Sequence, residues 1–106
     1  MNLQETEVVW LDGDDVCRIE YLAEISGLSL EDIEDLIENE VINPLDPMQS
    51  PRMFPLQGVA TAQMARRLRD DFLLDRHGLT LALKLLQRVA QLESELQALR
   101  ARAGRV

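Results

Sequence analysis

The sequence is poor in the residues that build disulfides, metal centres and most catalytic sites. Its 106 residues include one cysteine, Cys17, and one histidine, His77. A single cysteine excludes an intrachain disulfide framework, and a single histidine excludes a His–His ligand pair. No apolar run approaches the ~20 residues that a membrane-spanning helix needs, and the N-terminus lacks a basic-then-apolar signal pattern. These absences predict a cytoplasmic protein with no metal, no cofactor and no enzymatic activity.

Aromatic residues are also few, with one tryptophan, one tyrosine and two phenylalanines. A hydrophobic content of 46% is nevertheless enough for a core, so aliphatic side chains are expected to fill it. A chain of 106 residues has the usual size of one domain. We therefore expect a single domain over residues 1–106.

Basic residues are almost missing from the first half of the chain. Residues 1–50 hold 14 acidic residues and one base, Arg18, whereas residues 51–106 hold 10 bases and 5 acids. A surface this acidic repels phosphate and attracts a basic protein partner by long-range steering. The alternative is a solvated face that keeps the protein soluble. Composition alone leaves both interpretations open.

The first half predicts a short extended start and then a helix-turn-helix. The start is closed by a turn signal at Asp12-Gly13. From residue 14 to Gly27, apolar and small residues follow a helical period, at Val16, Ile19, Leu22, Ala23 and Ser26. A second helix begins after Ser29, whose hydroxyl can cap the first turn, with Asp32 three residues later. Two short helices joined by a glycine-containing turn form the helix-turn-helix pattern.

The predicted second helix separates apolar from acidic residues. Its apolar face holds Leu30, Ile33, Leu36 and Ile37. Its outward face holds five carboxylates and no base: Glu31, Asp32, Glu34, Asp35 and Glu38. Such carboxylates point into water, whereas a catalytic pair needs a cleft that separates its pKa values. The outward face is therefore a candidate docking surface for a basic partner.

A proline-rich segment and two further helices complete the predicted domain. Val41-Ile42-Asn43 reads as a strand that pairs with Arg52-Met53-Phe54 to form a small wing, which completes a unit over 14–55. A third helix, roughly 57–74 within a unit over 56–78, carries Arg66, Arg67 and Arg69 on its outer side and ends at His77-Gly78. Thr80 is the expected N-cap of a last helix at about 81–103, within a unit over 79–106.

The last helix carries a heptad pattern. Leu85, Leu92 and Leu99 recur every seven residues, with Val89 and Leu96 four after the first two. These are the a and d positions of a coiled coil. The pattern predicts self-association, although a helix that lies on its own domain needs the same stripe. In a parallel pair Arg88 would face Glu93 and Glu95 would face Arg100, but antiparallel pairing can also satisfy these charges, so the orientation stays open.

Three stretches resemble segments of the MerR-type winged-helix family. Tyr21 to Ser29 is similar to the helix and turn of its helix-turn-helix, Asn39 to Pro44 to the exit into the wing, and His77 to Leu81 to the start of a later helix. The resemblance covers about residues 16–103. It implies a mainly α fold, a MerR-like winged helix-turn-helix with a short β wing and a long C-terminal dimerisation helix.

Within that family the chain resembles the chaperone-modulator proteins of the CbpM type. Its size, acidity, acidic second helix and closing leucine helix are all similar. This resemblance implies a homodimer that binds the J-domain of a DnaJ/CbpA-like co-chaperone and inhibits its action with Hsp70. The acidic helix would face the basic helix of the J-domain. Apolar anchors would come from Leu22, Ile25 and Leu28, which can equally well be ordinary core residues.

The alternative is a MerR-like transcription regulator that binds DNA. A helix-turn-helix usually places its second helix in the major groove, with basic or amide side chains outward. Here that face is acidic, and carboxylates at a phosphate-lined groove add repulsion. Arg52, Arg66, Arg67 and Arg69 could contact phosphates, but they would have to outweigh the acidic helix. The sequence therefore favours a protein partner over DNA.

Overall fold

A computed structural model describes residues 8–11 and 14–104. The described chain contains a small antiparallel sheet and four helices, which confirms the expected mainly α class. The strands are β1 (Val8–Leu11), β2 (Asp14–Arg18) and β3 (Met53–Pro55), and the helices are α1 (Ile19–Ser26), α2 (Leu30–Glu38), α3 (Gln57–Phe72) and α4 (Arg76–Ala103).

The sheet has the order β1-β2-β3, and both pairs are antiparallel. Cys17 pairs with Phe54 across β2 and β3, and both side chains are fully buried. The prediction that a helix begins at residue 14 is therefore wrong, because residues 14–18 form the central strand and α1 begins at Ile19. Val8 to Leu11 form the extended start, whereas the turn at Asp12-Gly13 lies outside the described residues.

The helix-turn-helix forms where the sequence predicts it. Gly27 ends α1 with φ 84°, an αL conformation that residues with a side chain rarely adopt, and a Cβ there would force the Arg66 guanidinium to shift. Ser29 caps α2 by accepting a hydrogen bond from the Asp32 amide at 3.0 Å. Both predicted signals, the glycine stop and the serine cap, are confirmed.

The wing, which we define as residues 43–52, is a loop and not the predicted hairpin. Val41 and Ile42 are buried in the core, and the Val41 amide donates to the Leu36 carbonyl at 2.8 Å. The strand predicted over residues 41–43 is therefore wrong. A backbone hydrogen bond from Leu45 to Met53 joins the two sides at 2.8 Å, and β3 pairs with β2 instead. Four prolines between residues 44 and 55 remove the amides that a longer ladder needs.

The third helix packs closely on α1 through small residues. Gly58, Ala62 and Ala65 are buried on α3. A Cβ on Gly58 would meet the side chains of Leu22 and Ile42 at 3.6 and 3.7 Å. The small side chains therefore set the short distance between α3 and the helix-turn-helix.

The last helix begins earlier than the sequence predicts. Asp75 caps α4 by accepting from the Gly78 amide at 2.7 Å, so His77-Gly78 lie in its first turn and Thr80 is not its cap. The helix packs on the domain through buried Leu79 and Leu83, and every residue from 84 to 104 is exposed. The radius of gyration is 16.1 Å, above the about 13 Å of a globular chain of this length, because α4 projects from the domain.

Candidate protein-interaction surfaces

The carboxylates of α2 point away from the core, as the sequence predicts. Ile33 and Leu36 are buried, whereas Glu31, Glu34 and Glu38 are exposed and Asp32 and Asp35 are half-buried. The capping serine at its N-terminus and the helical period fix which residues face outward. We call the outward set the acidic face, and its members are Glu31, Asp32, Glu34, Asp35 and Glu38.

Three arginines from three other segments reach the acidic face. The Arg52 Nη2, from the wing, donates to the Glu34 Oε2 at 2.7 Å. The Arg76 Nη2, at the start of α4, lies 2.9 Å from the Asp32 Oδ1 and 3.4 Å from the Glu31 Oε1. The Arg69 Nη1, from α3, lies 3.5 Å from the Asp32 Oδ2. Much of the charge of the acidic face is therefore balanced within the chain.

The two remaining carboxylates differ in their surroundings. The Thr80 Oγ1 donates to the Asp35 Oδ2 at 3.2 Å, whereas Glu38 has no partner among the described side chains. The sequence places most basic residues in a separate half of the chain and does not predict these contacts. Arg52, Arg69 and Arg76 lie 18 to 45 positions from their partners, so no local spacing signals them.

Asp32 is the most enclosed of the three carboxylates of the acidic face that contact arginines, with 24% of its side chain exposed. Burial alone would raise its pKa, but hydrogen bonds from Arg76 and Ser29 and the charge of Arg76 outweigh burial and hold the pKa below the ordinary value of 3.8. The ionised carboxylate therefore joins α2 to the start of α4 and, more weakly, to α3. Asp32 is a structural tie as well as a surface charge.

We expect Asp32→Asn to lower the free energy of unfolding at neutral pH by about 1–2 kcal/mol, the scale of a charge-assisted hydrogen bond. Because the folded protein lowers the pKa of Asp32, its contribution is complete above the unfolded value near 3.8 and is lost as pH falls through the folded value. Urea titrations at several pH values should show a constant gap between wild type and variant from pH ~7 to ~5 that narrows below pH ~4. A gap that widens in acid would contradict this role.

The heptad leucines of α4 face away from its own domain. A helix turns about 100° per residue, so residues two apart lie on nearly opposite sides. Leu83 is buried against the domain, and the Gln87 Nε2 donates to the Val41 carbonyl at 3.1 Å, whereas Leu85 lies between them on the outer side. We call the outer stripe the seam; its members are 46–56% exposed and comprise Leu85, Val89, Leu92, Leu96 and Leu99. The seam is therefore not covered by the domain that carries it.

A metal site and a membrane span receive no support from the described residues. No group of three or more His, Cys, Asp and Glu side chains in this part of the chain is placed to hold a metal ion. None of the described helices combines the length and the apolar character needed to cross a membrane.

Comparison with known proteins gives the family. The model of the MerR HTH family regulatory proteins matches residues 17–101. The chain belongs to this family. It is 30% identical over 80 residues to the chaperone modulatory protein CbpM of Escherichia coli O1:K1, covering 76% of this chain and 79% of that protein. It is 28% identical over 103 residues to the CbpM of Pseudomonas putida strain W619, covering 97% and 96%.

These relatives also confirm the resemblance to the CbpM group within the MerR family. The family model begins within β2 and ends within α4, so it spans the helix-turn-helix, the wing and the whole seam. The family model and the relatives are named for regulation and modulation and not for catalysis.

The helix-turn-helix of this MerR protein does not expose all three predicted anchors. Leu22 and Leu28 are buried in the core, with 0% and 3% of their surface exposed, whereas Ile25 is 39% exposed. A buried side chain cannot anchor a partner without local unfolding, so Leu22 and Leu28 fit their alternative interpretation as core residues. Leu30, assigned to the apolar face, is 48% exposed at the first turn of α2. Ile25 and Leu30 are thus the apolar residues open to a partner near the turn.

The arginines that a DNA-binding MerR protein would use are mostly held within the chain. Arg66 contacts Asp70 at 3.1 Å and donates to the Ser26 carbonyl at 3.2 Å. Arg52 and Arg69 contact the acidic face. Arg67 is the one predicted phosphate contact that has no ion-pair partner in the described part of the chain. The basic surface is therefore smaller than the sequence count suggests.

Proposed function

We propose that this protein modulates a chaperone system by binding the J-domain of a DnaJ/CbpA-like co-chaperone and inhibiting its action with Hsp70. The observation that carries the proposal is the acidic face on α2, at the position where a helix-turn-helix presents its recognition helix. Chaperone modulation is the role named for the CbpM relatives. A cytoplasmic location, where such chaperones work, is part of the proposal.

Charge and exposure support a basic protein partner. The side chains of Glu31 and Glu34 remain 83% and 50% exposed despite their arginine contacts, and Glu38 is exposed. Complementary charge would steer a basic helix toward α2, while exposed Ile25 and Leu30 could supply apolar contact beside it. The same carboxylates would repel the phosphates of a DNA duplex. Of the four arginines predicted to contact phosphate, three are in ion pairs within the described chain.

Homodimerisation through the seam is the second part of the proposal. Five apolar side chains in heptad positions lie exposed on one side of α4. A second copy offers the same stripe, together with charges of opposite sign at the flanking positions. Such a dimer would carry two acidic faces.

The direct test measures the ATPase activity of Hsp70. The co-chaperone stimulates that activity, and adding this protein at about 10 µM, above a micromolar Kd, is expected to remove the stimulation and leave the basal rate unchanged. A parallel titration against duplex DNA is expected to show no binding. Unchanged stimulation at this concentration, or DNA binding tighter than J-domain binding, would overturn the proposal.

A further inference from the structure

Arg52 differs from the other two arginines on the acidic face in the side chains that surround its guanidinium. Its guanidinium donates to Glu34 at 2.7 Å and lies 5.9 Å from the centre of the buried Phe54 ring. Glu20, on α1, also acts on it electrostatically. Arg52 thus lies at the base of the wing, where the carboxylates of both helix-turn-helix helices attract it.

The carboxylate of the Arg52–Glu34 pair is more open than that of the two Asp32 pairs, which tie α2 to α3 and α4. The Glu34 side chain is 50% exposed, whereas that of Asp32 is 24% exposed and contacts both Arg69 and Arg76. Arg52 belongs to a loop, whereas Arg69 and Arg76 belong to long helices. Loss of the Arg52–Glu34 contact would therefore leave the packing of α2 intact.

We propose that Arg52 is an intramolecular competitor for the acidic face. Its guanidinium covers Glu34 in the free protein, and a cationic side chain of the bound partner displaces it. This inference rests on the proposed function, because the acidic face is the surface proposed to bind the J-domain. The displacement itself would occur with any cationic helix that docks there.

Displacement replaces one exposed ion pair by another, so the partner gains less than it would on a vacant carboxylate. The binding free energy that the partner loses in this way is about that of one exposed ion pair, which is modest. Arg52 would thereby weaken binding by general polycations and favour a partner that makes additional apolar contacts, for example with Ile25 or Leu30. Removing Arg52 should strengthen binding and reduce this selectivity.

The test compares Arg52→Gln with Arg67→Gln, which removes one positive charge from a residue that does not contact the acidic face. Two probes are titrated: a J-domain, and a synthetic helical peptide with lysine at every fourth position. Arg52→Gln is expected to lower Kd for both probes by about two- to fivefold, the range of one exposed ion pair, with the larger effect on the peptide. Arg67→Gln is expected to change Kd much less.

A double variant isolates the contact. In a Glu34→Gln background, Arg52→Gln should no longer tighten binding, because the competitor has lost its site. Equal tightening in that background, weaker binding of Arg52→Gln, or no binding of either probe by wild type and Arg52→Gln would overturn the inference. Peptide binding that follows the expected pattern while the J-domain does not bind would overturn the proposed function alone.

Discussion

The Leu92→Glu variant is expected to be monomeric at concentrations where we expect the wild type to be a dimer. Leu92 lies in the middle of the seam, on the side of α4 that its own domain leaves uncovered. In a dimer each copy would bury a carboxylate without a partner, at a cost on the order of 3–5 kcal/mol. Such a cost weakens self-association by two orders of magnitude or more, since about 1.4 kcal/mol is tenfold in Kd.

Sedimentation equilibrium measures this change directly. Ser94→Glu is the matched control, because it adds the same charge on the opposite side of α4, among exposed residues, and should leave the dimer intact. Both variants should keep the unfolding transition of the N-terminal domain. A wild type that is monomeric at ~100 µM, far above a micromolar Kd, would show that the seam does not mediate self-association.

The parts of the fold that the sequence predicts are those governed by neighbouring residues. Gly27 and Ser29 act within a few positions of themselves, through backbone conformation and a local cap. The helical period places Ile33 and Leu36 inside and the carboxylates outside. The seam is likewise visible as a period along one helix, although only the packing of Leu83 and Gln87 shows that the opposite side of α4 contacts the domain.

The predictions from the sequence are wrong where contacts between distant residues determine the structure. Residues 14–18 have an apolar pattern that fits a helix, but pairing with β1 and with β3, which lies more than 30 positions later, makes them a strand. Val41 and Ile42 are β-branched residues, which favour a strand, yet both side chains are buried in the core and residues 41 and 42 pair with no strand of the described chain. At the start of α4, Asp75 and not Thr80 caps the helix, by accepting from the Gly78 amide. Gly78, which the sequence suggests as a helix breaker, lies in the first turn of α4.

The sequence predicts which residues form the acidic face, but it does not predict that arginines neutralise part of its charge. A count of charges treats the acidic and basic halves as separate surfaces, whereas Arg52, Arg69 and Arg76 fold back onto α2. The contacts divide the face into structural carboxylates, Asp32 and Asp35, and more exposed ones, Glu31, Glu34 and Glu38. An experiment on the docking surface should change only the second group.

Reversing the three exposed charges, with Glu31, Glu34 and Glu38 all changed to Lys, is expected to weaken J-domain binding at least about tenfold, or 1.4 kcal/mol. The loss should appear mainly as slower association, because complementary charge acts on the encounter. Wild-type binding should weaken as salt is added, since ions screen exposed charges beyond about 8–10 Å. Leaving Asp32 and Asp35 in place should preserve the contacts of α2 with α3 and α4, which circular dichroism and thermal unfolding can check.

A matched pair of single variants separates position from net charge. Glu38→Lys and Asp71→Lys each reverse one charge, and neither residue has an ion-pair partner within the described ranges. If the acidic face is the docking surface, Glu38→Lys should slow association with the J-domain several-fold more than Asp71→Lys does. Equal effects would indicate that only net charge matters. Salt-insensitive binding that survives the triple reversal would remove the acidic face from the interface and leave apolar contacts, at the exposed residues of the turn or in the wing, because salt does not screen apolar contacts.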